Sequence, residues 1–158
     1  MPRNAQYRTA SRIVCLANAI IRQRNARLQP LGLTACQSEA LLYLLRQPPD
    51  AVLTAGDVAR ALRLSQSTVA GILKRLEDKK LLARRTAPDD HRRNVLFLTE
   101  NARQLDRTLF ADAVAVEALL LKGMCAQQRE QFDCLLGQAL ANVHAANREE
   151  AMQYADEP

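Results

Sequence analysis

The chain has 158 residues, 48% hydrophobic and 25% charged, the balance of one globular domain rather than of a disordered segment. Lys and Arg outnumber Asp and Glu by 22 to 17, a net charge of +5 that favours an anionic partner. Aromatics at 4% with no Trp disfavour a stacking platform for single strands, and five Gly with six Pro are few for a turn-rich all-β fold.

In chain order, residues 5–29 read as a long helix with Ile13, Leu16, Ala17, Ile20 and Ile21 on one stripe, ended by Pro30 and Gly32. Thr34 and Gln37 form a capping box that opens a second helix, whose core face is Leu41, Leu42, Leu44 and Leu45. Pro48-Pro49-Asp50 closes it, and Val52-Leu53 suits a short extended piece. Thr54 and Asp57 cap a third helix through Val58, Ala61 and Leu62, and only Arg63 and Leu64 separate it from Ser65, another good N-cap. The fourth helix, from Gln66 to about Lys80, carries Val69, Ile72, Leu73 and Leu76 at the spacing of a buried stripe. Two short helices on a tight turn make a helix-turn-helix, here without the Gly often found in that turn.

Leu81–Thr86 and Arg93–Leu98 read as strands joined by a Pro88-Asp89-Asp90 turn. Thr99 and Glu100 start a long helix with Ala102, Leu105, Leu109, Ala113, Val116 and Leu120 at 3–4 spacing. A last helix over about 127–147 presents Phe132, Leu135, Leu136, Ala139, Leu140 and Val143, and 148–158 reads as a flexible polar tail. The expected fold is therefore mostly α, with about six helices, a two-stranded wing and long outer helices.

Charge is distributed unevenly. Residues 1–30 carry +6, 31–53 carry −1, 54–99 carry +5 and 100–158 carry −5. The central basic block is the candidate contact surface, and the two outer segments are of opposite sign.

On the fourth helix, the face opposite the apolar stripe carries Ser67, Ala70, Gly71 and Lys74, with Gln66 and Thr68 in the first turn. A helix entering the major groove needs short polar and amide side chains near its N-terminus and small residues at mid-face. Gly71, which costs about 1 kcal/mol against Ala in a helix, fits close approach to a partner. At the hairpin, Arg84, Arg85, His91, Arg92 and Arg93 crowd the ends and tip, a like-charge cluster that phosphates or a narrow minor groove would offset. Asp90 is placed to hold the Arg92 guanidinium in a bidentate pose, although turn chemistry alone also accounts for Asp89 and Asp90.

The run Leu62-Arg63-Leu64-Ser65-Gln66-Ser67-Thr68-Val69, continued by Leu76 to Leu82, resembles the helix-turn-helix of the MarR family of bacterial regulators. Asp90-His91-Arg92 followed by Leu98-Thr99 is similar to that family's D-x-R…L-T wing signature, and Gly32-Leu33-Thr34-Ala35-Cys36-Gln37 to its second-helix entry. The resemblance covers roughly residues 10–145. It implies a homodimer on a pseudo-palindromic operator, acting by default as a repressor. Ser65, Gln66, Ser67, Thr68 and Lys74 would lie near the major groove, with Arg75 beside them. Arg84, Arg85 and Arg93 would serve the wing, and Arg92, oriented by Asp90, would enter the minor groove.

The expected division is one MarR-like domain over 1–158, with 31–99 as the winged DNA-binding part and 1–30 with 100–147 as the dimerisation part. The apolar stripes Ile13/Ile20 and Leu135/Ala139/Val143 would otherwise be exposed patches. Pairing across a two-fold axis would bury them.

The resemblance also implies release of DNA by a small aromatic or anionic effector, for which Arg12, Arg22 and Tyr43 are candidate pocket groups. A thiol-based redox sensor using Cys15 is the alternative. Ala35-Cys36-Gln37-Ser38 lacks the tyrosines that would support a reactive thiolate there, and a buried structural Cys15 is the plainer reading. The cysteines Cys15, Cys36, Cys125 and Cys134 show no CxxC, and His91 and His144 stand far apart, so neither a metal nor another cofactor is expected. No nucleophile–base constellation or glycine-rich phosphate loop points to an enzyme. A winged helix used for protein docking would show an apolar outer face, unlike Ser67, Gly71 and Lys74. The apolar run Ile13–Ile21 is too short to span a membrane, and the Arg22, Arg24 and Arg27 that follow it argue against a signal peptide. The cytoplasm is the expected compartment.

Overall fold

The computed structural model describes residues 8–48, 50–86 and 94–155. The chain divides into two compact units, one up to Val116 and one from Glu117.

In the first unit α1 spans Arg8–Leu28 and passes through a 3₁₀ turn, Gln29–Leu31, to Gly32. Gly32 takes the left-handed conformation at φ 64, which favours a residue without Cβ. Helix α2 spans Ala35–Leu45 and opens on the expected capping box. The Thr34 hydroxyl accepts from the Gln37 N–H at 3.3 Å, and the Gln37 side chain accepts from the Thr34 N–H at 3.1 Å. Helix α3, Ala55–Leu62, starts on the same device at Thr54 and Asp57. Helix α4, Gln66–Asp78, starts at Ser65, whose Oγ accepts from the Thr68 N–H at 3.1 Å.

Strands β1, Leu82–Thr86, and β2, Asn94–Leu98, pair antiparallel with Leu82 opposite Leu98 and Arg84 opposite Leu96. Val52-Leu53 is not a strand, but one backbone bond, Leu96 N–H to the Leu53 carbonyl at 2.8 Å, ties that segment to β2. Apolar residues of α2, α3, α4, β1 and β2 form one core with Leu41, Val58, Val69, Leu73 and Leu76 at its centre, all fully buried. Leu28 from α1 and Leu109 from further along the chain close it.

The helix expected from Thr99 onward is interrupted. Helix α5 covers Glu100–Gln104 and α6 covers Asp106–Leu120. Between them the Leu105 N–H bonds the Ala102 carbonyl at 3.1 Å, a 3₁₀-type turn that no Gly or Pro announces.

One arginine of α1, Arg24, enters the interior. Arg24 is only 7% exposed and Asp112 of α6 only 5%. Arg24 Nε donates to Asp112 Oδ2 at 3.2 Å, its guanidinium also reaches Ser38 Oγ at 3.2 Å, and it pairs with Glu39. Arg27 Nε donates to the other Asp112 oxygen at 2.6 Å. The opposite charges of the two outer segments thus meet, in part, within one chain. The buried charges are tolerable because each is paired and hydrogen-bonded.

In the second unit α7 spans Ala126–Ala155, so the helix continues past residue 147 through most of the segment expected as a tail. The thirty residues of α7 make a rod about 45 Å long. Within this unit no residue from 117 to 147 is buried, and Leu135 and Val143 are 64% and 59% exposed.

Candidate nucleic-acid interface

Helix α4 is held by its apolar stripe. Val69, Ile72, Leu73 and Leu76 are buried, which fixes the rotation of the helix and turns the opposite face outward. Ser67, Ala70, Gly71, Lys74 and Arg75 are all exposed. A Cβ built on Gly71 would meet nothing within 4 Å, so no internal packing requires glycine there.

At the helix entry Ser65 Oγ lies 3.0 Å from Ser67 Oγ and 2.8 Å from Thr68 Oγ1. This cluster of short hydroxyls sits at the positive end of the helix, where free backbone N–H groups and the dipole favour an anion. Gln66 leans back over α3, its amide nitrogen 3.9 Å from where a Gly56 Cβ would stand. Lys74 and Arg75 make no ion pair among the described residues.

The hairpin differs from expectation at its base. Arg84 Nε donates to Glu77 Oε1 of α4 at 2.9 Å, so one of the clustered arginines is offset inside the protein and braces β1 against the helix. Among the described residues only its Nε is engaged. Arg85 stacks over the Phe97 ring at 5.2 Å, on the face it shares across the strand pair. Asp90, His91, Arg92 and Arg93, assigned to the wing tip, lie outside the described residues.

A separate cavity of about 390 Å³ lies within the first unit, lined by Ile20, Ile21 and Arg24 of α1, Glu39 of α2, Leu62 at the end of α3 and Leu64 just after it. Arg12, Arg22 and Tyr43, the pocket groups proposed from sequence, do not line it. Burial of Arg24 was the missed signal, because a guanidinium in an apolar-patterned helix looks like a surface charge. Cys15 is exposed, as are Cys36, Cys125 and Cys134, which removes the buried structural cysteine. No group of three metal-ligating side chains exists among the described residues, and no helix among them is long and apolar enough to cross a membrane.

A helix-turn-helix on a shared core, followed at once by a two-stranded hairpin braced to its second helix, defines a winged helix-turn-helix protein. A profile described as MarR family matches residues 31–93, from the end of the 3₁₀ turn before α2 to the residue before β2. Among solved structures, the MepR–DNA complex of S. aureus is 26% identical, covering 87% of this chain and 97% of that one with a TM-score of 0.79. A putative MarR family transcriptional regulator from Listeria monocytogenes, complexed with a 26mer DNA, is 19% identical, with 94% and 96% covered and a TM-score of 0.76. The crystal structure of MarR shows 21% identity, 95% coverage of each chain and a TM-score of 0.70. Residues 31–93 thus resemble the MarR family, and the chain as a whole shares the fold of these solved structures.

Proposed function

We propose that the protein is a cytoplasmic, homodimeric repressor that binds a pseudo-palindromic operator in double-stranded DNA and leaves it when a small molecule binds. The observation that carries the reading is the outer face of α4. It has hydroxyls at the helix entry, no Cβ at Gly71, and Lys74 with Arg75 beyond, all exposed and held outward by a buried stripe. That is the surface a major groove accepts. The exposed, polar character of the same face argues against a protein-docking module. DNA in the structures of the S. aureus and L. monocytogenes relatives supports the same choice.

Dimerisation is supported by the second unit. A helix of thirty residues with no buried side chain between 126 and 147 gains too little from propensity alone to stand in water. A second copy would cover Leu135, Leu140 and Val143, together with Ile13 and Val14 of α1, which are also exposed. An obligate two-fold interface above about 2,000 Å² is expected.

The cavity beside Arg24 supports an effector site, since its volume lies in the range of small-molecule pockets and its walls are mostly apolar. For the redox alternative, Cys15 is exposed and makes no hydrogen bond to any described residue.

The test is anisotropy of a labelled duplex from the DNA upstream of the gene, with wild type and Arg92→Ala. Saturable binding by wild type, weakened by more than about 1 kcal/mol in the variant, is expected. Equal affinity would remove the wing, and no binding at low salt would remove the reading.

A further inference from the structure

Helix α3 is capped by a residue in the left-handed conformation, and the chain leaving α4 takes the same conformation one residue past its cap, Lys79. Among the described residues, the non-glycine positions with positive φ are Arg63 at 55 and Lys80 at 57. Both ends are closed by long backbone bonds. The Leu64 N–H reaches the Ala59 carbonyl at 3.0 Å, and the Leu81 N–H reaches the Leu76 carbonyl at 3.0 Å. At the second end Lys80 N–H also bonds the Glu77 carbonyl at 2.8 Å, and its own carbonyl accepts from the Thr99 hydroxyl at 2.8 Å. These bonds hold the conformation whatever side chain is present. Glycine is the residue such helix ends favour, because any Cβ there crowds the backbone.

Instead, both positions carry a long cation. Both side chains are exposed, and neither makes a hydrogen bond, ion pair or ring contact among the described residues. No side-chain contact among the described residues therefore returns the conformational cost. The positions are also not arbitrary, since Arg63 sits in the turn before α4 and Lys80 in the turn after it. Helix α4, with thirteen residues, is about 20 Å long, and the major groove is about 12 Å wide. A helix of that length reaches the rims of the groove at its ends, and the rims are phosphate.

We infer that Arg63 and Lys80 are phosphate contacts, one at each end of the reading helix, kept at left-handed positions because they grip the DNA backbone. They fix depth and register in the groove and carry no base preference. The inference rests on the DNA-binding reading above and adds contacts to it.

Arg63→Gly and Lys80→Gly in the full-length chain test it. Thermal melting is read beside anisotropy with a duplex of about 40 base pairs of arbitrary sequence, since phosphate contacts do not need the operator. Each glycine variant should melt about 2–4 °C higher than wild type. Each should also bind about three- to tenfold more weakly near 50 mM salt, with a log–log salt slope shallower by about 0.9 for each phosphate lost. Arg63→Lys and Lys80→Arg should keep wild-type affinity, slope and melting temperature. Glycine variants with unchanged affinity and slope would overturn the inference while leaving the DNA-binding reading intact. Weaker binding with an unchanged slope would overturn it too, because that is the mark of a folding defect. Failure of wild type to bind any duplex at low salt would overturn both.

Discussion

Removal of the Asp112 carboxylate isolates the charge network at the base of the first unit. Asp112 is 5% exposed and accepts from Arg24 at 3.2 Å and Arg27 at 2.6 Å. In Asp112→Ala, Arg24, whose side chain is 8% exposed, keeps only Ser38 and the half-exposed Glu39. Breaking one side of a buried pair costs about 3–5 kcal/mol. The bond to Arg27 adds at most about 1 kcal/mol, because that side chain is 45% exposed and water competes for it. Glu39 still compensates part of the stranded charge, so the expected loss is near the lower end, about 3 kcal/mol. For a chain of this size that lowers the melting temperature by about 6–12 °C, read by circular dichroism and confirmed by urea midpoints at constant slope. Arg24→Met combined with Asp112→Leu removes both charges and should recover most of the loss, since an apolar pair replaces an ionic one of similar volume. A single variant within about 0.5 kcal/mol of wild type, or a double variant as unstable as the two singles added, would refute the reasoning.

Gly71→Ala should raise helix stability by about 1 kcal/mol, because the new methyl meets only solvent, yet weaken DNA binding by crowding the groove; melting and anisotropy moving in the same direction would contradict the placement of that face. The Thr54 hydroxyl and N–H, both donating to Asp57, hold its carboxyl below the ordinary value of 3.8. That contribution to stability is present above the unfolded value near pH 4 and lost as pH falls through the lower folded value. Urea midpoints of Asp57→Asn should therefore lack this acid-range decline, and an identical decline in wild type and variant would show the carboxylate is idle. Leu135→Asp should convert the species from about twice 17.6 kDa to a single chain by sedimentation, and an unchanged mass would place the dimer contact elsewhere.

What was legible in the sequence were features that depend on neighbours a few residues apart. The boxes at Thr34 and Thr54, the Ser65 cap and the Val69/Ile72/Leu73/Leu76 stripe are local, and each stands where the spacing puts it. The reading face of α4 follows from that stripe by geometry alone. What escaped depends on partners distant in the chain. Arg24 and Asp112 are 88 positions apart, and neither residue's neighbours announce burial. The Glu77–Arg84 brace likewise joins a helix to a strand, and it changes how much of the arginine cluster needs an external anion. The turn at Leu105 and the left-handed Arg63 and Lys80 carry no Gly, Pro or Asn to mark them, because backbone bonds rather than residue type impose those conformations.

The central claim is that a pair of these chains grips duplex DNA through its phosphates, and salt titration of binding measures that most directly. With about eight phosphates neutralised by the dimer, the logarithm of the association constant should fall against the logarithm of salt concentration with a slope near −7. A slope near zero, or binding that saturates at one chain per duplex, would contradict it.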